Sequence, residues 1–196
     1  MADLTLSCSC GTVQGMATAI TPDSGTHAVC YCRSCQAFAR HLQREGEILD
    51  PWGGTEVFQI TPSQIKITAG ADQIRCIRLG PKGIYRWYSG CCNTAIGNTL
   101  GASVPFIGLI HSFITPGEQR SQALGPVLFK VFGQYARQLP QSDSLHPGLP
   151  LKMLARNLPK MLMAKLRGRH KPSPFFSDTG APVSEPQIIA KPGPGD

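Results

Sequence analysis

Seven of the eight cysteines in this 196-residue chain fall into three short clusters: Cys8-x-Cys10, Cys30-x-Cys32-x-x-Cys35 and Cys91-Cys92. Thiolates spaced in this way hold metal ions. Two thiols with one residue between them on a strand project to the same face, because side chains alternate with a period of two. Cys32-x-x-Cys35 spans a tight turn at zinc-knuckle spacing. A helix capped by Ser34 would place Cys35 in its first turn, where backbone N–H groups and the helix dipole favour a thiolate. Three ligands from one segment leave a tetrahedral ion with one open position, which is the catalytic pattern; four protein ligands close a structural site. Cys30, Cys32 and Cys35 are therefore the candidates for chemistry. Cys8 and Cys10, completed by Cys91 and Cys92, are the candidates for a structural clamp between an early strand and a late one. Two ions are expected, and zinc is a commoner outcome than iron for such ligands. Single buried cysteines are ordinary core residues, and that is the reading for Cys76, which stands alone.

The elements that must position these residues read mainly as strands and turns. Strand patterns cover Leu4–Ser7, Thr12–Ile20, His27–Tyr31, Thr55–Ile60, Gln64–Thr68, Gln73–Leu79 and Ile84–Tyr88. Turn chemistry separates them, as at Thr61-Pro62-Ser63 and Gly80-Pro81-Lys82-Gly83. One short helix is predicted from Cys35 to Arg44, with Phe38 and Leu42 on one face and Gly46 as its stop. Beyond Pro116 the character changes. Ser121–Leu139 reads as helical, with its start delayed by Gly125-Pro126. Residues 140–150 read as a polar link, and Leu149–Arg167 as an apolar, basic helix broken near Asn157-Leu158-Pro159. From Gly168 onward Pro, Gly and Ser dominate, the composition of a mobile tail. The expected division is a cysteine-rich β domain over 4–116, a helical basic extension over 117–171 and a Pro/Gly-rich tail over 172–196.

Charge follows the same division. Residues 1–120 hold nine Lys/Arg against eight Asp/Glu, and residues 121–196 hold ten against four, so nearly all the net charge of +7 is C-terminal. The N-terminus lacks the basic and apolar regions of a secretory signal. The longest apolar run, Val104–Ile110, is interrupted by Pro105 and too short to span a bilayer. A soluble cytoplasmic protein is expected, and in that reducing compartment clustered cysteines bind metal rather than pair as disulfides.

The cysteine pattern resembles the glutathione-dependent formaldehyde-activating enzyme family, which includes the centromere protein V domain. Cys8-Ser9-Cys10-Gly11 is similar to the family's opening Cys-x-Cys-Gly, and Cys30-Tyr31-Cys32-Arg33-Ser34-Cys35 to its central Cys-x-Cys-x-x-Cys. The stretch from Tyr88 to Ile96 resembles its closing Cys-x-x-Cys segment, with a departure: Ser89 stands at the first cysteine of that pair, Cys92 at the second, and Cys91 is an added thiol. Adjacent cysteines point apart, so both reach one ion only through a bulge or sharp turn. The resemblance covers about residues 4–115 and implies a β-tent of small antiparallel sheets pinned by a structural zinc. It also implies a carbon–sulfur lyase acting on glutathione–formaldehyde adducts, with Cys30, Cys32 and Cys35 at the catalytic zinc, Cys8, Cys10 and Cys92 at the structural one, and glutathione as co-substrate.

Other residues carry weaker signals. The five histidines form no metal-binding pattern. Arg33 suits a substrate carboxylate or plain solvent. Trp52-Gly53-Gly54 and Arg86-Trp87-Tyr88 suit a pocket wall or core packing. Lys152–Lys171 holds seven basic residues and no acidic one. It suits an interfacial helix on anionic lipid or a phosphate-binding arm. The plainer alternative, favoured here, docks an amphipathic helix on its own domain with the basic face in water. Sparse aromatics disfavour nucleic acid. Two functions follow: a zinc–thiolate enzyme acting on a small thiol or aldehyde adduct, or a zinc-stabilised binding module that uses residues 149–171 to contact membrane, nucleic acid or protein.

Overall fold

A computed structural model describes residues 1–137 and 145–190. Among these residues the chain forms a mixed α/β fold with two sheets. Strands β1 (Ala2–Ser7), β2 (Gln14–Ile20) and β5 (Ile65–Ala69) make a three-stranded antiparallel sheet in the order β1-β2-β5. The second sheet has eight strands. These are β3 (Thr26–Cys30), β4 (Thr55–Ile60), β6 (Ile74–Leu79), β7 (Tyr85–Ser89), β8 (Ala95–Thr99), β9 (Ile107–Ile110), β10 (Phe129–Val131) and β11 (Gln187–Ile189). Their order is β10-β3-β4-β9-β8-β7-β6-β11; the inner pairs are antiparallel, and the two outermost strands join in parallel. The helices are α1 (Arg33–His41), α2 (Glu45–Ile48), α3 (Glu118–Leu124) and the C-terminal α4 (Leu151–Leu166).

Alternation of side chains gives the large sheet two apolar faces. Phe58, Trp87, Ile107 and Leu109 pack against Leu4, Leu6 and Ile20 of the small sheet. Val57, Ile77 and Ile110 pack with Phe38 and Leu42 from α1 and the residue that follows it. The seven strands legible in the sequence form within a residue or two of their expected bounds. The sequence missed β8 and β9, the central strands, because every residue in both is buried and no polar–apolar alternation remains.

Three expectations for the C-terminal part are corrected. Gly125 and Pro126 do not delay a helix; they end one. Gly125 takes φ +67 just after α3, a left-handed conformation that costs glycine little, and Pro126 cannot continue the helix. Residues 129–131 then run as β10 beside β3, where a helix was expected; residues 138–144 of that span and of the polar link lie outside the described residues. Helix α4 runs unbroken through Pro159. Two residues before it, Asn157 accepts a hydrogen bond from Thr26 (2.6 Å) and donates one to Gln59 (2.7 Å), anchoring the helix to the large sheet. The tail, as far as it is described, is packed. Phe175 and Phe176 are buried against Trp87, with ring centroids 5.1 and 5.4 Å away, and β11 adds to the edge of the large sheet. Burying two aromatic rings outweighs the local preference of a Pro/Gly-rich segment for disorder.

Candidate metal centres

The first centre lies where the two sheets meet. Cys8 and Cys10 sit in the β1–β2 connection rather than on a strand, and Cys91 and Cys92 sit in the β7–β8 connection. All four sulfurs lie within 4.8 Å of one another. The Sγ separations are 3.5 Å for Cys8–Cys10, 3.8 Å for Cys8–Cys91, 3.3 Å for Cys10–Cys91 and 3.9 Å for Cys91–Cys92. A tetrahedral zinc with sulfur ligands at about 2.3 Å sets neighbouring sulfurs about 3.8 Å apart, so this donor set fits zinc.

Local geometry explains how four cysteines converge. Gly11, at φ +77, turns the chain tightly after Cys10, and its N–H donates to the Cys8 carbonyl at 2.9 Å. The Val13 N–H donates to Cys8 Sγ at 3.2 Å. At the other turn, a bulge between Trp87 and Tyr88 and a left-handed Asn93 (φ +56) supply the distortion that adjacent cysteines need to share a site. Both Cys91 and Cys92 therefore belong to the cluster. Ser89 is not idle: its hydroxyl lies 3.2 Å from Cys92 Sγ, and Thr94 Oγ1 lies 3.3 Å away on the same sulfur. Burial pushes the Cys92 thiol up, but hydroxyls of Ser89, Ser9 and Thr94 outweigh it and bring the thiol down to about 4.

The second centre forms where β3 meets α1. Cys30 ends the strand, Cys32 is the N-cap of the helix, and Cys35 lies in its first turn. Cys32, not Ser34, caps the helix, because the Cys32 carbonyl accepts from the N–H groups of Cys35 (2.9 Å) and Gln36 (3.2 Å). The three sulfurs lie within 4.8 Å of one another. Hydrogen bonds from Cys30 and Cys35, helped by Ser34 and the Arg86 charge, hold the Cys32 thiol far below its usual range. Cys30 is held up, first by its bond to Cys32. Cys35 is pulled down by Cys30, but the bond to Cys32 and burial prevail and raise it to about 12. One of the three ionises readily, and ionising all three requires a cation among them. That chemistry, with the close sulfurs, fits a metal ion bound by Cys30, Cys32 and Cys35.

Around this centre lies a cavity of about 610 Å³ whose lining includes all three cysteines. Its walls are largely aliphatic and aromatic, among them Val57, Leu79, Ile84, Phe106, Val131 and Met153. Polar groups are in the minority; besides Ser34, Gln59 and Tyr135 they include the cations Arg33, Lys82 and Arg86, and Asn98. Arg86 is buried, with Nη1 3.0 Å from Asn98 Oδ1 and 3.9 Å from Cys35 Sγ, and its guanidinium lies over the Phe38 ring. Its Nε is buried with no hydrogen-bond partner. Arg33 also lines the cavity and stacks over the Tyr135 ring.

Sequence reasoning singled out Arg33 and Arg86 but left their roles open; Trp87 faces the core and the Trp52 turn does not line this cavity. Asn98 lies in a strand that showed no pattern. Val131, Phe132, Tyr135, Leu149 and Met153 come from the part expected to be a separate extension. No local signal could reveal them, because the β3–β10 pairing that brings that part to the cavity joins residues about a hundred positions apart. Neither cluster includes a histidine among the described residues.

Fold and site thus define a mixed α/β protein with two cysteine clusters geometrically able to chelate metal. The chain belongs to DUF6151, a family of unknown function whose model matches residues 2–187. The match runs through α4 and most of the tail, well past the region of the cysteine pattern. No curated protein matches the chain. Among the described residues, no helix is long and apolar enough to cross a membrane.

Proposed function

We propose that the protein is a zinc-dependent carbon–sulfur lyase or its reverse, joining a thiol to an aldehyde and cleaving the adduct. One observation carries the reading: three cysteines with converging sulfurs lie in the wall of a cavity large enough for a small organic molecule. The resemblance of the cysteine pattern to the glutathione-dependent formaldehyde-activating family supports it, as does the four-sulfur cluster between two sheets, which suits the pinned β-tent of that family.

A zinc ion held by Cys30, Cys32 and Cys35 would supply an open position for a substrate thiolate. In the forward direction the thiol sulfur bonds to the aldehyde carbon, and the thiol proton ends on the carbonyl oxygen; cleavage reverses both. Arg86 offers a buried cationic donor at the cavity wall, suited to the oxygen on which charge develops. The apolar walls exclude water and favour an adduct with an apolar body, with glutathione as the co-substrate that the family resemblance implies.

The test is metal analysis and cobalt substitution of the wild type and of Cys32→Ser, followed by NMR exchange between carbon-13 formaldehyde and either glutathione or an alkyl thiol. Two metals in the wild type, one in the variant, and exchange lost in the variant are the expected results. Exchange as fast in Cys32→Ser as in the wild type would remove the basis for the enzyme reading.

A further inference from the structure

Helix α4 docks with the opposite face from the one its composition favours. Its inner face carries Met153, which is buried, and polar side chains that bond to the sheet and the β2–β3 turn. Asn157 pairs with Thr26 and Gln59, Lys160 donates to the Asp23 carbonyl at 2.6 Å, and Arg156 lies 3.3 Å from the Asp23 carboxylate. The leucines face outward. Leu151, Leu158, Leu162 and Leu166 are 81%, 60%, 63% and 74% exposed, and Leu154 lies on the same ridge. These five recur at intervals of three and four residues, so they form one continuous apolar stripe along the 16-residue helix.

A monomer in water gains nothing by such a stripe, so it marks a contact surface. Its flanks identify the partner. Residues 144–177 contain seven Lys/Arg and no Asp or Glu. Lys152 and Arg167 stand beside the stripe without an acidic partner among the described residues. A second copy of the chain, packed ridge to ridge, would bring these like charges together. An anionic lipid surface satisfies both features, taking the leucines at the acyl boundary and the cations at the headgroups.

We infer that α4 is an interfacial helix by which the protein docks on anionic membrane surfaces. Leu149, just before the helix, and Met153, in its first turn, also line the cavity beside Cys30, Cys32 and Cys35, so docking sets the cavity beside the bilayer. The inference does not depend on any chemistry at that cavity.

The test is co-sedimentation of the full chain with vesicles of phosphatidylcholine alone or with about 30% phosphatidylglycerol. The wild type is expected to bind the anionic vesicles at low salt and the neutral ones at least tenfold more weakly. Leu158→Gln with Leu162→Gln should weaken anionic binding about tenfold or more. Lys152→Gln with Arg167→Gln should weaken it and flatten its salt dependence. All four positions are exposed, so an unchanged thermal midpoint verifies folding. Should the leucine pair destabilise the chain, Leu162→Trp reports instead, through a fluorescence blue shift on anionic vesicles only. Failure to bind anionic vesicles, binding indifferent to the leucine pair, or a dimer in sedimentation that the leucine pair abolishes would each overturn the inference.

Discussion

Cys91 is the sulfur at the centre of the clamp, within 3.3 to 3.9 Å of its three neighbours, so replacing it should cost the metal-loaded protein most of what the clamp contributes. The magnitude follows from chain topology. Cys10 and Cys91 are 81 residues apart. Gathering both halves of the site in the unfolded chain means closing that loop, at an entropic cost of about 4.5 kcal/mol. The folded chain has closed it already. A metal held by these four sulfurs would therefore bind the folded state more tightly by about that amount, and the difference would appear as stability. For a chain of this length it corresponds to a shift in thermal midpoint of about 9 to 18 °C. The assay is urea unfolding of wild type and Cys91→Ser, each with buffered zinc and with chelator. With zinc, the variant should lose about 3 to 5 kcal/mol; with chelator, the two should agree to within about 1 kcal/mol. A variant as stable as wild type in zinc, or an equal loss with and without zinc, would refute the reasoning. The first outcome would mean that Cys91 is not a ligand, and the second that its role is packing.

Three further outcomes are expected. Glu56 accepts a hydrogen bond from His27, and His111 and Arg120 lie near enough to act on it; together they lower its carboxyl from 4.5 to about 2. Because the folded value is the lower one, the stabilisation is present above pH 4.5 and disappears as pH falls towards 2. Glu56→Gln should therefore cost about 2 to 3 kcal/mol at neutral pH and progressively less in acid, as read by denaturant midpoints across that range. Phe175→Ala should cost about 3 to 5 kcal/mol, since the ring is fully buried on Trp87; a loss below about 1 kcal/mol would show the tail to be detached in solution. Arg86→Met removes the buried cation beside Cys35 at similar volume, so it should weaken thiol binding to the cobalt-substituted protein about tenfold or more while leaving both metals in place; thiol titrations that match wild type would deny Arg86 a role at the cavity.

What the sequence determined by itself was the local chemistry. Cysteine spacing alone sorted seven thiols into two groups, and those same two groups converge in space: Cys30, Cys32 and Cys35 because their turn sets its own geometry within a few residues, and Cys8 and Cys10 with Cys91 and Cys92 because the two sheets bring connections 81 residues apart together. Period-two patterning likewise marked strands with one exposed face, such as β1 and the first half of β2. Tertiary structure decided everything that depends on what an element packs against. The central strands β8 and β9 lost their alternation because both faces are covered, and the Pro/Gly-rich tail is held by two phenylalanines that find Trp87 from far along the chain. The cavity is completed by residues from β10 and α4, brought beside β3 by pairings across a hundred residues. Which face of α4 meets water was also beyond the sequence. An amphipathic pattern names two faces, and only the hydrogen bonds that Asn157 and Lys160 donate to Gln59 and the Asp23 carbonyl turn the leucines outward.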